Sequence, residues 1–352
     1  MKLDEKILIL LEVLNIPIEQ KWFEHIYPES YSVYRYLKNI GLIDENTLGK
    51  LESFNGKLET NNRIRSFFKG VDTYWPVNIY KDGAVIDLGS GFGYFTFWLL
   101  ISGAKKVVSI GDSERIAFIK KLYASAVEKK LLPKDSILFK PDFIKPGDTN
   151  LFEEIGENEI DLILLNDTLE HITPRILPYL LKSSYFNLKK GGKFISKQQN
   201  SSSAKMYAKL AMHWDEIELS HYISQRKKLI EQAIPNIDVT NLGKLAINTR
   251  GLDKYDFKDA VENYKKNKKI PKLSKDSPAV DVVYDIPSEG NTDIPFILGS
   301  LKTAGFKKAY VYPALMHSRK LCFLQKVAKT IPSLFFKTTF MDETSVFVAT
   351  KQ

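Results

Sequence analysis

The residues best suited to chemistry in this chain lie in one loop that follows a short apolar segment. Asp87 stands inside the apolar segment, and three alternating glycines follow it, Gly89, Gly91 and Gly93. Glycine takes positive φ without steric cost and lets a ligand come close to the backbone. A helix that begins directly after such a loop presents unpaired N–H groups to the ligand. The loop therefore predicts a nucleotide-type cofactor site at the end of a buried strand.

The spacing of these glycines discriminates between cofactors. A dinucleotide fingerprint would require glycine at the position of Tyr94, and the G-K-[ST] sequence of a phosphate-binding P-loop is absent from the loop. The pattern present, D-x-G-x-G-x-G, resembles the first motif of class I S-adenosylmethionine-dependent methyltransferases. This resemblance implies contacts to S-adenosylmethionine from six residues, Asp87, Gly89, Ser90, Gly91, Gly93 and Tyr94.

Two further acids follow the next predicted strands and resemble the family's nucleotide contacts. Asp112 follows the second strand, where the resemblance implies an acid that holds the ribose hydroxyls. The family's usual position for that acid corresponds to Gly111 here, so Glu114 is an alternative. After the third strand, the resemblance implies that Asp142 meets the adenine amino group, with Phe143 as a face for the ring.

The end of the fourth predicted strand carries another polar group. The segment DLILLNDTLEHI, residues 161–172, resembles the family's fourth motif, which implies that Asn166 and Asp167 contact the cofactor. Asp167, Glu170 and His171 also resemble the acid-x-x-Glu-His metal motif of ubiquinone-type and small-RNA 2′-O-methyltransferases. A divalent ion there would lower the pKa of an acceptor hydroxyl. The alternative is a capping box formed by the two acids, and we expect no metal.

Methyl transfer to an alcohol also requires a base, and three histidines are the candidates. His171 lies just past the fourth strand, and His213 and His221 would share one face if residues 213–221 formed a single helix. Apart from this base, the reaction mainly requires that the reacting atoms be held in contact. A purely structural role is the alternative for each histidine.

These residues need a sheet that brings several strand ends together. Short apolar segments alternate with helical segments between residues 84 and 198, which predicts a parallel sheet covered on both faces. A further helix and two strands near the end of the chain resemble the family's closing antiparallel hairpin. The fold class predicted is α/β, a Rossmann-like, doubly wound, seven-stranded and mostly parallel sheet. Its predicted strands are 85–88, 106–110, 137–139, 161–165, 193–196, 308–312 and 345–349.

Four segments are predicted along the chain. They are a helical N-terminal unit on the substrate side, a cofactor-binding core, an insertion after the fifth strand and the last part of the core, at residues 1–80, 81–199, 200–294 and 295–352. The insertion is expected to bind the acceptor, because the sheet is committed to the cofactor. Its aromatic and hydroxyl residues suit a polar acceptor such as a sugar, and they include Tyr207, Trp214, Tyr222 and Tyr255. A lipid-linked or aromatic acceptor is the alternative.

Within the insertion, helices are predicted at 204–219 and 225–233, followed by a polar region without predicted elements. That region ends in residues 265–275, which hold six lysines and no acid. A solvated loop is the expected structure of this run, and a patch that binds a polyanion is the alternative.

The composition of the chain limits which ligands and partners are expected. The net charge is +9, but only eight of the 51 basic residues are arginines. Arginine is preferred for bidentate phosphate contacts, so the charge balance does not favour nucleic acid. A single cysteine, Cys322, excludes an intrachain disulfide and a multi-cysteine zinc site. No segment resembles a signal peptide or reaches the ~20 apolar residues of a membrane span, so a cytoplasmic protein is expected.

The sequence thus predicts an S-adenosylmethionine-dependent methyltransferase that acts on a small-molecule or glycan acceptor, at oxygen. Two alternatives remain open at this point. The first is an RNA or protein methyltransferase that uses the lysine-rich insertion, and the second is a non-catalytic partner subunit that binds S-adenosylmethionine. A homodimer is also left open.

Overall fold

A seven-stranded sheet with helices on both faces organises the chain. The computed structural model describes residues 1–14, 68, 71, 75–111, 113–141, 158–169, 172–173, 175–199, 218–272, 280–281, 286–287, 294–313 and 344–352. In chain order, the strands are β1 (Ala84–Leu88), β2 (Lys106–Gly111), β3 (Ile137–Pro141), β4 (Ile160–Asn166), β5 (Leu188–Gln199), β6 (Val280–Asp281), β7 (Ile286–Pro287), β8 (Lys308–Pro313) and β9 (Thr344–Thr350). The helices are α1 (Leu3–Leu14), α2 (Tyr94–Ile101), α3 (Ser113–Glu128), α4 (Leu177–Asn187), α5 (Glu218–Ala233), α6 (Val239–Asn248), α7 (Lys254–Asn267) and α8 (Ile294–Thr303).

The large sheet has the order β3-β2-β1-β4-β5-β9-β8. The first five strands in this order are parallel, whereas β9 runs antiparallel to both of its neighbours. Strands β6 and β7 form a separate pair. This topology confirms the predicted fold class, including the closing antiparallel hairpin.

Alternate residues of each strand face two separate cores, which explains why the strands read as continuous apolar segments. In β1, Val85 packs in a cluster with residues of α1, α2 and α3, whereas Ile86 packs in a second cluster with residues of α4 and α8. Both side chains are fully buried. Helix α1 contacts α2 and α3, and its Lys6 ammonium lies 5.4 Å from the centre of the Trp98 ring.

Strand β5 differs most from its predicted bounds. It begins at Leu188 instead of residue 193, because the chain continues in the sheet through Gly191 and Gly192. Its pairing with β4 shifts register between Ile160 and Leu162 to accommodate the extra residues. The other strands of the large sheet lie within about two residues of their predicted ends.

The described part of the insertion contains three helices, α5, α6 and α7, that share a hydrophobic core of their own. Helix α5 contains the helix predicted at 225–233, whereas most of the helix predicted at 204–219 lies outside the described residues. Helices α6 and α7 are additions to the prediction. In α7 the buried residues Phe257, Val261 and Tyr264 recur at helical spacing. Charged residues separate them and obscure this pattern in the sequence.

Helix α7 also corrects the expectation for the lysine-rich run. Its N-cap is Asp253, whose carboxylate accepts hydrogen bonds from the N–H groups of Tyr255 and Asp256. Lys265 and Lys266 lie in its last turn, where positive charge complements the helix dipole. The first part of the predicted solvated loop is therefore helical.

Arg226 of α5 links several segments of the insertion through buried hydrogen bonds. Its side chain is fully buried. Its Nη2 donates hydrogen bonds to the carbonyl oxygens of Arg250, Leu252 and Val280 at 2.9, 2.8 and 2.9 Å. The guanidinium also lies 4.9 Å from the centre of the Phe257 ring. One side chain thus joins α5, the turn between α6 and α7, and β6.

Replacing Arg226 with methionine should destabilise the insertion by about 3 kcal/mol or more, because three buried carbonyls lose a charged donor. We expect faster amide exchange and proteolytic cleavage within residues 218–281, with little change in the sheet. Lys228→Met, at an exposed position of the same helix, is the control. Equal exchange in the two variants would contradict this role.

Among the residues that the structure describes, no helix combines the length and the apolar character required to cross a membrane.

Candidate functional site

The glycine loop lies at the carboxyl end of β1, where the order of the sheet reverses. Strand β1 has β2 on one side and β4 on the other, and both run parallel to it. Such a switch point opens a crevice at the carboxyl ends of the strands, and α/β proteins bind ligands there. Helix α2 begins directly at the loop, with Gly93 as its N-cap.

Gly89 joins the loop after β1 to the segment after β4. Its φ is +79°, and a Cβ at this position would overlap the buried side chain of Thr168. The approach of the two segments therefore requires glycine here. It also places residues 166–168 beside the glycine loop.

Gly91, unlike Gly89, borders open space. Its φ is +53°, and a Cβ would meet no atom within 4 Å among the residues that the structure describes. A residue that needs positive φ and borders open space is suited to direct contact between backbone and ligand. Gly91 therefore provides a cradle that a side chain would fill, which fits a cofactor lying against the loop.

Asp87 is the buried acid of this site. Only 2% of its surface is exposed, and its Oδ2 accepts a hydrogen bond of 2.5 Å from Oγ1 of Thr96 in the first turn of α2. The backbone N–H of Thr96 also donates to this carboxylate. Burial raises the pKa of the Asp87 carboxyl to about 7, although the hydrogen bonds from Thr96 act to lower it.

Buried hydroxyl groups fix the loop around Asp87. Ser109 of β2 donates to Oγ of Ser90 at 2.8 Å, and Ser90 Oγ donates to the carbonyl of Asp87 at 2.9 Å. Thr96 Oγ1 lies 3.3 Å from Oγ of Ser109. Ser90 was predicted to contact the cofactor, and the structure directs its hydroxyl into this internal network. The loop is thus tied to both β1 and β2.

The raised pKa of Asp87 gives the ligand-free protein a distinct pH dependence. The folded state holds this proton up to about pH 7, whereas an unfolded aspartate releases it near pH 3.9. The folded state therefore binds more protons between these values, and the free energy of unfolding should fall as the pH rises from about 4 to about 7. Urea unfolding at pH 5 and pH 8 measures this, and the Asp87→Asn variant should lose most of the difference. If the substitution left the difference in unfolding free energy between pH 5 and pH 8 unchanged, Asp87 would not be its source.

Three polar residues meet at the carboxyl ends of β4 and β5. Lys197 Nζ lies 2.9 and 3.0 Å from the two carboxylate oxygens of Asp167. Asn166 Nδ2 donates to Oδ2 of Asp167 at 2.8 Å. Asn166 and Lys197 are also paired in the sheet register. Lys197 was not among the predicted site residues.

Arg175 links the segment after β4 to the insertion. Its Nε lies 3.1 Å from Oδ2 of Asp253, and its Nη2 lies 2.7 Å from Oδ1 of Asp256. The guanidinium also lies 5.2 Å from the centre of the Tyr255 ring. The start of α7 is therefore held against the segment that joins β4 to α4.

The structure describes the positions of some of the predicted site residues. It brings the glycine loop, Tyr94, Asn166 and Asp167 to the carboxyl edge of β1 and β4. His221 lies in α5, where only its backbone is described, and the same holds for Glu114 in α3. The other predicted residues lie outside the described part of the chain, and they are Asp112, Asp142, Phe143, Glu170, His171 and His213.

Sequence reasoning missed three polar residues of the site. Thr96 and Ser109 are isolated hydroxyl residues in apolar segments, and only their proximity in the fold shows that they serve Asp87. Lys197 offered a better signal, since it is a charge within the strand pattern FISKQQ. A lysine in such a strand needs a partner, and Asp167 supplies it.

Of the three candidate metal ligands, the described residues include only Asp167. No group of three or more His, Cys, Asp or Glu side chains that could hold a metal ion occurs within the described residues, which exclude Glu170 and His171. The carboxylate of Asp167 is engaged by the Lys197 ammonium. This engagement favours a role for Asp167 other than metal binding.

Comparisons with known proteins relate the chain to methyltransferases. Residues 60–233, just under half of the chain, match the model of a family described as "Methyltransferase domain". No curated protein matches the sequence. Among solved structures, the chain is similar to S-adenosylmethionine-dependent methyltransferases from Mesorhizobium loti and Archaeoglobus fulgidus. The first is 13% identical over 79% of this chain and 97% of that chain, with a TM-score of 0.40. The second is 12% identical over 88% of this chain and 100% of that chain, also with a TM-score of 0.40.

The strand order and the glycine loop define a class I methyltransferase fold. Because both TM-scores lie below 0.5, the topology itself is the basis for this fold assignment, and the family match supplies the activity. The match places a methyltransferase domain at residues 60–233. The chain is therefore a methyltransferase, as the sequence predicts.

Proposed function

We propose that the enzyme methylates a hydroxyl oxygen of a small-molecule or glycan acceptor, which binds at the carboxyl edge of the sheet beside the insertion. When bound, S-adenosylmethionine supplies a methyl group on a sulfonium centre that is activated for displacement. The residues that would hold it are Asp87 and the backbone around Gly91. Asp87 offers a buried carboxylate for a cationic group, and Gly91 offers open backbone.

The observation that carries this proposal is the contact between Arg175 and the start of α7. It places Tyr255, whose side chain remains 40% exposed, beside two carboxylates and a guanidinium. Small-molecule sites combine aromatic faces with a few polar groups that fix orientation. An exposed ring among hydrogen-bonding groups therefore suits a sugar or a similar polyhydroxyl compound.

The proposal is tested by transfer of tritium from methyl-labelled S-adenosylmethionine to separate pools of sugars, other hydroxyl compounds, tRNA and protein. We expect label in a hydroxyl pool, with the methyl ether identified by mass spectrometry. Label confined to tRNA, with transfer that falls steeply as salt is added, would instead indicate nucleic acid as the acceptor. Label confined to protein would also contradict the proposal.

Replacing Tyr255 with alanine should raise the KM of the acceptor found in this way by about tenfold, because one aromatic face is lost. The affinity for the cofactor should not change. Phe186→Ala is a suitable control, because this aromatic side chain is 37% exposed and lies at the end of α4, by the opposite edge of the sheet. A KM that is equal in both variants would exclude Tyr255 from the acceptor site.

A further inference from the structure

Lys197 is a buried lysine whose ammonium is paired at the edge of the site. Only 8% of the residue is exposed, although it lies close to the carboxyl end of β5. Its contacts with both oxygens of Asp167 compensate for the cost of burying the charge. The two side chains differ in exposure, with 11% for Lys197 and 42% for Asp167. The carboxylate is thus the outer group of the pair, and the ammonium lies behind it.

The backbone of Asp167 is held in an unusual conformation. Its φ is +48°, which costs about 1–3 kcal/mol for a residue other than glycine. Its N–H donates to the carbonyl of Lys197 at 2.8 Å, and Asn166 Nδ2 holds one carboxylate oxygen. Backbone and side chain are therefore both fixed, so that the carboxylate keeps one direction.

A second lysine–aspartate pair at the other end of the same strands provides a comparison. Lys189 Nζ lies 2.9 Å from both carboxylate oxygens of Asp161. There the exposures are reversed, with 44% for the lysine and 23% for the aspartate. Asp161 also accepts a hydrogen bond from the N–H of Ala84 and has no positive φ. Of these two pairs, only the one at the carboxyl edge has the aspartate as its more exposed member and a positive φ at that aspartate.

The position of Asp167 in the sheet indicates what it meets. Strand β4 lies on one side of β1, whereas β2 and β3 lie on the other. Asp167 directly precedes Thr168, the side chain that bounds Gly89 of the glycine loop. The carboxylate is therefore beside the switch-point crevice, on the side of the acceptor if the nucleotide extends over β2 and β3.

We propose that the Asp167 carboxylate orients the methyl acceptor by accepting a hydrogen bond from its O–H or N–H group. Lys197 is a positioning residue that acts through Asp167. This inference rests on the proposed function, because it requires the cofactor to bind at the glycine loop. It reassigns Asp167 from the cofactor or metal role that the sequence suggests to the acceptor side.

Sinefungin is a probe for this arrangement that requires no knowledge of the acceptor. It is a cofactor analogue that carries an amino group in place of the sulfonium methyl, so its N–H donors occupy the position of the transferred group. Calorimetry gives its affinity relative to S-adenosylhomocysteine, which lacks that group. We expect the wild type to prefer sinefungin by about 10–100-fold. In Asp167→Asn the preference should fall to about twofold or less, because asparagine tolerates the same backbone but carries no charge.

The positioning role is tested with variants of the lysine. Lys197→Met should lower the preference for sinefungin at least fivefold (roughly 1 kcal/mol), whereas Lys197→Arg should restore most of it. Lys189→Met, which removes the matched ammonium at the other edge, should leave the preference unchanged. An unchanged or larger preference in Lys197→Met would contradict the positioning role, since a merely structural lysine would lower both affinities together.

These binding measurements distinguish failure of the proposed function from failure of the role assigned to Asp167. If no variant or wild-type protein bound S-adenosylhomocysteine, the cofactor site itself would be contradicted. If S-adenosylhomocysteine bound normally but the wild type showed no preference for sinefungin, only the assignment of Asp167 would be overturned. Normal binding with a preference that survives Asp167→Asn would overturn it equally.

Discussion

Asp87→Asn should weaken S-adenosylmethionine binding by at least about 30-fold, because it removes a buried carboxylate from a charged contact with a cationic ligand. Asparagine has nearly the same shape and can still accept the hydrogen bond from Thr96. The fold and the start of α2 should therefore persist. Isothermal titration calorimetry on the full chain measures the affinity, and circular dichroism confirms that the variant is folded.

Asp161→Asn is the matched control for this experiment. It removes a carboxylate at the opposite edge of the sheet, where Lys189 and the N–H of Ala84 are its partners. Its effect should appear in stability and not in cofactor affinity. If Asp87→Asn bound S-adenosylmethionine as tightly as Asp161→Asn, Asp87 would be only the anchor of α2.

Gly91→Ala should weaken cofactor binding by about 10–100-fold with little damage to the fold. The added methyl group meets open space in the ligand-free protein, but it would occupy room that the cofactor needs, at a cost of about 1–3 kcal/mol. The positive φ adds a smaller cost of about 1–2 kcal/mol to the fold itself. Calorimetry and thermal unfolding of the same sample separate the two effects.

Gly191→Ala controls for the backbone strain alone. Gly191 also has a positive φ, +81°, and a Cβ there would likewise meet no described atom within 4 Å. It lies near the start of β5, away from the glycine loop. Both variants should lose similar stability, and only Gly91→Ala should lose affinity. Equal affinities in the two variants would show that the cofactor does not lie against Gly91.

Most of the sheet could be predicted from the sequence because each strand is a short apolar run followed by polar or glycine residues. Residues 85–88 and 161–165 have this form, and β1 and β4 contain them. The order of the strands does not follow from such runs. The family resemblance implied a doubly wound sheet with a closing antiparallel hairpin but no explicit order. The pairing of β1 with both β2 and β4 is an observation of the structure.

The insertion was harder to predict because its helices are held by interactions that sequence patterns do not display. The apolar residues of α7 are few, and its N-cap Asp253 is one of many acids in a polar region. The core of the insertion also depends on Arg226, a charged residue that is fully buried. Composition alone would place such a residue on the surface.

The candidate site likewise contains residues that could be predicted from the sequence and residues that could not. The glycine loop and Asp87 are recognisable because spacing along the chain defines them. The pairing of Asp167 with Lys197 is not, since the two residues are thirty positions apart and meet only when β4 and β5 align. The hydrogen bond that ties Thr96 to Asp87 spans only nine positions, but it also depends on how the glycine loop places α2 against β1.

Titration of the wild-type chain with S-adenosylhomocysteine tests the central claim most directly. A functional cofactor site at the glycine loop predicts one molecule bound per chain, with a Kd on the order of 1 μM to 1 mM. The Asp87→Asn and Gly91→Ala variants should bind more weakly, and Gly191→Ala should bind like the wild type. Absence of binding by the folded wild-type chain at millimolar ligand would contradict the proposal that S-adenosylmethionine is the methyl donor of this methyltransferase.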